Sequence, residues 1–281
     1  QSAFSWLIHP NDTTKFFRDV WEKEPLFISR NSQNPRYYGA LFSKVHRGMP
    51  NFRRTLTRSF QKRKTISRRR GRSQKDVQTR DGRRCATPVC ARYIDRQFSL
   101  CTGCTIQALH PQQYSAGMWR LNSLLEEYVG GLVGANCYMT PANSQGLAPH
   151  HDDVDVFILQ LQGSKHWKLY PPLLTLPREH SRDLDHSEIG QPMMEVTVRE
   201  GDLLYFPRGT IHEARSAKKD TSVHMTISCY QRSSWYDFLT VSVPRSSRIE
   251  TLSHRALDVA FKNEMEYRKG LPINYLSYMG T

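Results

Sequence analysis

The chain has 281 residues, 38% hydrophobic and 11% aromatic, with a formal net charge of +14 from 40 Lys/Arg and 26 Asp/Glu. That length supports one large domain or two modest ones with a proper core, and no apolar run approaches the roughly eighteen residues that would argue for a membrane span. The N-terminus QSAFSWLIHP lacks the charged and apolar regions of a secretory leader, and a start at Gln1 rather than Met is expected of a fragment.

In chain order, Asn11-Asp12-Thr13-Thr14 is a capping-type start for KFFRDVWEK, where Phe16, Phe17, Val20 and Trp21 fall at helical spacing. EPLFISR then reads as a strand entered through Pro25. Lys44 to Arg84 carries sixteen Lys/Arg against Asp76 and Asp81, so this segment holds the whole excess of charge and the remainder is neutral. It has no apolar periodicity and cannot bury enough surface to offset its ordering entropy. Its bland reading is a structureless solvated insertion; its functional readings are a nuclear localisation signal, through Lys62-Arg63-Lys64 and Arg68-Arg69-Arg70, or a contact with RNA or DNA phosphates. Cys85, Cys90, Cys101 and Cys104 follow as C-x4-C-x10-C-x2-C. Four thiols can hold zinc, but the loose first pair and short loop favour unliganded cysteines.

From Gln112 to Tyr128, Trp119, Leu121, Leu124, Leu125 and Tyr128 repeat with helical period up to Gly130-Gly131. Short strands then dominate: LVGANCYMT, VDVFILQLQ, KHWKLYPP, MMEVTVRE, DLLYFP and VHMTISCYQ, bounded by Gly, Pro, Asp or Ser. That is the signature of a barrel or jelly roll, and the expected class is mainly β with flanking helices. Cys137 and Cys229 sit alone in two of these strands, and the tail from Arg245, with Leu252, Ala256, Val259 and Phe261, reads as helical.

The chemistry lies in APHHDDVDVF, Ala148 to Phe157. In a strand, residues two apart share a face, so His150 and Asp152 converge while His151 and Asp153 point elsewhere. A third ligand is offered by EGDLLYFPRGTIH, in which Gly201, Pro207, Gly209 and His212 make G-x5-P-x-G-x2-H, the spacing of the second cupin motif. Two imidazoles and one carboxylate on one face of a metal are typical of non-haem Fe(II) oxygenases. Alone, H-x-D is more often a satisfied polar corner; joined to the second motif it predicts a site. Such enzymes need a reductant, and the far carboxylate of 2-oxoglutarate needs a cation. Lys165, after the Gln162-Gly163-Ser164 turn and expected to pair back along the His150–Leu161 strand, is a candidate, its alternative being a surface lysine; Tyr138 and Thr226 add hydroxyls.

PANSQGLAPHHDDVDVFILQLQGSKHWKLYPP, GDLLYFPRGTIHEA and HMTISCYQRSSWYDFL together resemble the JmjC-type ribosomal oxygenases, most closely the Mina-type ribosomal histidyl hydroxylases. The resemblance covers Phe4 to Phe42 and resumes from Thr105 to Phe238. It implies a double-stranded β-helix of cupin type, Fe(II) and 2-oxoglutarate, and hydroxylation of a histidine in a large-subunit ribosomal protein, in the nucleus and nucleolus. By position, His150, Asp152 and His212 match the iron ligands; Lys165, Tyr138 and Thr226 match the 2-oxoglutarate contacts; Asn136, Gln107 and Ser228 match positions facing the peptide. His151 and His180 stand where family members have tyrosines. Four regions follow: residues 1–43 as the N-terminal part of the oxygenase domain, 44–104 as the basic insertion, 105–238 as the catalytic core, and 239–281 as the truncated start of a helical dimerisation region. The insertion has no counterpart in the family pattern, and disorder or a shifted reading frame would produce such a break. A homodimer is expected of the intact protein. The rival functions are a histone lysine demethylase acting on histone H3 with the same iron site, and a non-catalytic scaffold binding RNA through the arginine-rich segment.

Overall fold

A computed structural model describes residues 2–39, 77–78, 105–113, 115–229, 233–242 and 248–272. The four-cysteine cluster and nearly all of the basic insertion lie outside the described residues. Among the described residues eleven strands form two sheets. They are β1 (Leu26–Ile28), β2 (Val77–Gln78), β3 (Thr105–Leu109), β4 (Val133–Thr140), β5 (Gln145–His150), β6 (Asp155–Gln162), β7 (Ser164–Tyr170), β8 (Met194–Arg199), β9 (Leu203–Phe206), β10 (Ile211–Ser216) and β11 (Ser222–Cys229). The larger sheet runs β1-β9-β6-β11-β4-β3-β2 and the smaller β5-β10-β7-β8. Strands β4 to β11 thus form the two four-stranded faces of a double-stranded β-helix, with β1 to β3 extending one of them.

The expected strands are all present. Four more form, β2, β3, β5 and β10; of these, β5 and β10 have sequences (QGLAPH and IHEARS) too rich in Gly, Pro and charge to stand out, and they are the two that carry the candidate ligand histidines His150 and His212. The expected pairing of β6 with β7 is not what forms. β6 pairs with β11 and β9, and β7 with β10 and β8. Gly163, at φ +64°, turns the chain from one sheet into the other, and an added Cβ there would meet the Thr221 carbonyl oxygen at 2.5 Å.

Alternation sorts each strand's residues between two environments. The outer face of the larger sheet supplies Ala135, Cys137, Phe157, Leu159, Leu203, Tyr205, Met225, Ile227 and Cys229 to a core closed by the helices. The inner face supplies Val156, Ile158, Leu204 and Phe206, which pack on Trp167, Leu169, Val198 and Ala214 of the smaller sheet. Burial raises the thiols of Cys137, to about 12, and Cys229, so both remain protonated core residues.

Helix α1 (Ala3–Ile8) was not anticipated by periodicity. Ser2 caps it by accepting from the Ser5 N–H, and Phe4, Leu7 and Ile8 are fully buried at i, i+3 and i+4. Asp12 caps the next helix as expected, accepting from the Lys15 N–H at 2.9 Å; α2 (Thr13–Lys15) continues as a π-helical stretch, Phe16–Val20, and ends before Trp21. α3 (Ala116–Val129) starts later than expected, capped by Ser115, and stops at Gly130 in the left-handed region. It buries Met118, Leu121, Leu125 and Val129 and leaves Trp119 and Leu124 on its exposed flank. α4 (Trp235–Ser242) runs through the expected boundary at 238/239, and α5 (Arg248–Asn263) and α6 (Met265–Arg268) follow, Val259 of the expected apolar set facing solvent.

Candidate active site

β5 and β10 are antiparallel neighbours in which His150 lies directly opposite His212. Asp152 falls two residues past the end of β5, in loop rather than strand as expected, yet it reaches the same point. One ligand atom from each of His150, Asp152 and His212 lies within 4.8 Å of the others. The Nε2 atoms of His150 and His212 stand 3.9 and 3.7 Å from the two Asp152 carboxylate oxygens, and the rings are 4.4 Å apart. These separations are too long for hydrogen bonds.

The other ring nitrogens explain why. Nδ1 of His150 lies 2.7 Å from the Ala148 carbonyl oxygen and Nδ1 of His212 lies 3.0 Å from that of Thr210. A carbonyl only accepts, so each Nδ1 carries a proton, and in the neutral ring each Nε2 keeps a free lone pair. His212 is buried, and burial first, then the neighbouring His150, lowers its pKa to about 4. It is neutral at physiological pH. Two lone-pair nitrogens and a carboxylate aimed at one point, bonded to none of one another, are a donor set for a divalent metal, and the 2-His-1-carboxylate composition suits ferrous iron. His151 takes no part; its backbone N–H donates to the Ser181 hydroxyl, and His180 is exposed in the β7–β8 loop.

Lys165 is not a surface residue. Its neighbours along β7, Trp167 and Leu169, share its inward face, and it is fully buried. Its ammonium donates to the Thr140 hydroxyl at 3.1 Å and stands 5.5 Å from the Trp167 ring centre. Among the described residues no carboxylate pairs with it, and burial lowers its pKa from 10.5 to about 7. An added Cβ at Gly146 would meet the ammonium at 2.5 Å, so glycine there leaves room for the cation.

Tyr138 and Thr226 lie on the inner face of the larger sheet, where Thr226 opposes Asn136 and His224 opposes Tyr138. Gln107 on β3 opposes Tyr138 and donates to its hydroxyl at 2.7 Å. Ser228 is two residues on from Thr226 and faces the same way. The Asn136 side-chain oxygen is buried with no hydrogen-bond partner. The structure therefore gathers Gln107, Asn136, Tyr138, Thr226 and Ser228 on one face, opposite the sheet that carries the histidines and Lys165.

Two pocket residues escaped the sequence reading. Thr140 receives the Lys165 hydrogen bond, and His224 is buried, stacked on Tyr138 at 5.0 Å and edge-on to Trp167 at 5.4 Å. Burial first, then Lys165, pushes its pKa well down. Both follow from a period of two, Thr140 from Tyr138 and His224 from Thr226. Trp167 links the two ends of the pocket, lying 6.2 Å from His212 and 5.4 Å from His224.

Residues 107–238 match the JmjC domain model. The chain is 39% identical over 285 residues to Ribosomal oxygenase 1 of Danio rerio, spanning 99% of this chain and 48% of that protein. It is 39% identical to Ribosomal oxygenase 2 of Mus musculus, spanning all of this chain and 56% of the relative. Against the bifunctional lysine-specific demethylase and histidyl-hydroxylase NO66 of Culex quinquefasciatus it is 38% identical, over 40% of that protein's length. The chain thus spans about half the length of the curated relatives it matches. Among solved structures, the Escherichia coli ribosomal oxygenase YcfD in complex with cobalt and 2-oxoglutarate superposes with a TM-score of 0.52 at 15% identity, covering 92% of this chain and 68% of that one, a likeness of fold. Residues 107–238 thus carry a JmjC domain, and the chain is similar along its length to the ribosomal oxygenases.

Proposed function

We propose that this chain is the catalytic part of an Fe(II)- and 2-oxoglutarate-dependent protein hydroxylase acting on a histidine of a large-subunit ribosomal protein. The observation that carries the reading is the pairing of a convergent His150, Asp152 and His212 set with a buried cation, Lys165, that has no carboxylate of its own. Lys165 lies four positions along β7 from Leu169, the residue opposite His212. At about 3.3 Å per residue that is roughly 13 Å along the strand, and the lysine stem shortens the gap to what a five-carbon keto diacid can span.

His150, Asp152 and His212 would hold the metal. Bound there, ferrous iron with 2-oxoglutarate supplies the oxidation of a C–H bond by O2, with succinate and CO2 as by-products. The protein's own residues do the rest. The Nδ1–H donors of both histidines fix the tautomer and ring plane. Lys165 and the Thr140 hydroxyl receive the far carboxylate, each such charge-assisted bond contributing about 1.5–3 kcal/mol. Trp167, Phe206 and His224 exclude water from the space between. The buried, unbonded Asn136 amide oxygen and Gln107, with Ser228, supply polar groups for the substrate peptide.

The reading places the intact protein in the nucleus and nucleolus, with Lys62 to Lys64 and Arg68 to Arg70 as the address, and gives it a homodimeric state and an RNA contact through the same basic segment. A second reading, histone H3 lysine demethylation, is favoured by relatives such as NO66 of Culex quinquefasciatus, whose name joins the two activities. Mass spectrometry on both peptide classes separates them: one added oxygen on histidine against loss of methyl groups from lysine. Replacing His212 by Ala abolishes succinate formation coupled to either peptide; undiminished turnover in that variant refutes the assignment.

A further inference from the structure

Resting on the metal reading, a second constellation bears on the same site from outside the pocket. The two ligand-bearing segments meet at the turn Pro207-Arg208-Gly209-Thr210. The Gly209 N–H donates to the Asp152 carbonyl oxygen at 3.0 Å, and the Thr210 carbonyl accepts from His212. The placement of the turn therefore sets both Asp152 and His212.

The turn is held from distant parts of the chain. Arg208, almost wholly buried, donates to the Glu22 carboxylate at 2.6 Å and to the Arg268 carbonyl. Both Glu22 oxygens accept from the Gly270 N–H at 2.9 Å. Arg268 in turn donates to the carbonyls of Phe261, Lys262 and Thr175, the last at 2.9 Å. Thr175 belongs to the loop that presses on the turn from its other side, where an added Cβ on Gly209 would meet Pro177 at 2.4 Å and the Leu174 carbonyl oxygen at 2.9 Å. Residues 268–271 are themselves clamped to the start of α4, with the Trp235 N–H donating to Lys269 and the Leu271 N–H to Ser233.

We propose that Glu22, Arg208 and the Arg268–Gly270 segment form a strut that positions the metal-ligand turn, so that the C-terminal helices set the affinity and geometry of the metal site from outside it. These are positioning residues, since none touches metal or substrate. A buried ion pair adds little net stability over an apolar replacement, which leaves directional fixing of the turn as the physical use of this one.

The test is a titration of the whole chain with Co(II), read by visible absorption, beside thermal melting of the metal-free protein. Glu22→Gln preserves shape and one acceptor oxygen but removes the charge, and Arg268→Ala releases the turn from the C-terminal end alone. Each is expected to weaken Co(II) binding about 10- to 100-fold, the usual scale for partners behind metal ligands, and to shift the ligand-field bands. The double variant is expected to bind no worse than about the poorer single, because both act through one turn. Leu125→Ala, on α3 and in none of the strut's hydrogen bonds, lowers the melting temperature and leaves Co(II) affinity unchanged, which separates positioning from loss of fold. Wild-type affinity and bands in both strut variants overturn the proposal whatever their melting temperatures. If the wild type binds no Co(II), the metal reading itself fails and the strut with it. Should Glu22→Gln not fold, the affinity and bands of Arg268→Ala decide alone.

Discussion

Replacing Lys165 by Met tests whether the pocket is built around an uncompensated cation. Burial holds the ammonium at a pKa of about 7 against 10.5 in the unfolded chain. Between those values the unfolded chain binds a proton that the folded chain has released, so metal-free protein gains stability as pH rises from 7 to 10.5 and carries the full penalty below pH 7. At about 1.4 kcal/mol per tenfold change, the penalty is about 5 kcal/mol. Relaxation and the lost Thr140 hydrogen bond offset part of it, and about 2 kcal/mol of net stabilisation by Met raises the melting temperature roughly 4–8 °C for a chain of this size. The gain is largest at and below pH 7 and shrinks as pH rises above it, in step with the proton the unfolded chain keeps. The same substitution removes the group that receives the keto acid, so 2-oxoglutarate affinity falls at least about 10-fold. Calorimetry in buffers of different ionisation enthalpy gives an independent reading. A carboxylate beside Lys165 restores its proton, so wild type takes up roughly one proton per 2-oxoglutarate bound at pH 8 and the Met variant takes up none. A less stable metal-free Met variant at pH 7, or wild-type binding without proton uptake, refutes the reasoning.

Gly209→Ala is expected to destabilise the protein by about 3 kcal/mol or more and to impair metal binding, because φ is +87° and the new methyl meets Pro177 at 2.4 Å; denaturant unfolding and Co(II) titration check both effects. Asp155 is fully buried, accepts from the Tyr205 hydroxyl, and has its pKa raised from 3.8 to about 7, first by burial and then by Glu22. The folded protein keeps a proton that the unfolded chain releases, so stability falls as pH rises from about 4 to 7. Asp155→Asn should therefore raise the urea midpoint at pH 8, by no more than about 4 kcal/mol, and confer nothing at pH 4; an equal effect at both pH values contradicts the assignment.

The two ligand histidines were legible because each sits in a local pattern, H-x-D in one case and G-x5-P-x-G-x2-H in the other, whose glycines are required by backbone geometry. Gly201 and Gly209 both occupy positive φ, where a side chain would strike Asn34 or Pro177. The burial of Lys165 was also in principle readable, since Lys165, Trp167 and Leu169 alternate onto one face. What hid it was the assumption that consecutive strands joined by a Gly-containing turn make a hairpin. In this fold the turn at Gly163 changes sheets instead, and a lysine that would flank a hairpin ends inside the roll. The Glu22–Arg208 and Glu22–Gly270 contacts join residues 186 and 248 positions apart. Neither lies in an amphipathic pattern, so only the fold brings them together.

Several features that cost stability lie around the candidate site. Lys165, whose ammonium has no carboxylate partner among the described residues, and Asn136, with its unbonded amide oxygen, lie on the two facing sheets, while the positive-φ turn at Gly209 and the pair of Glu22 and Arg208 stand behind the metal ligands. The outer core, by contrast, is filled with closely packed aromatic and aliphatic side chains such as Phe4, Phe16, Phe157 and Tyr205. A sequence under selection for stability alone would place Met at 165 and would have no use for a buried ion pair behind a loop. Local rules broken together around one site, over a core that obeys them, fit a site that takes an anion at the Lys165 end and a cation at the histidine end. A divalent metal ion held by His150, Asp152 and His212 and the far carboxylate of 2-oxoglutarate at Lys165 would meet both requirements.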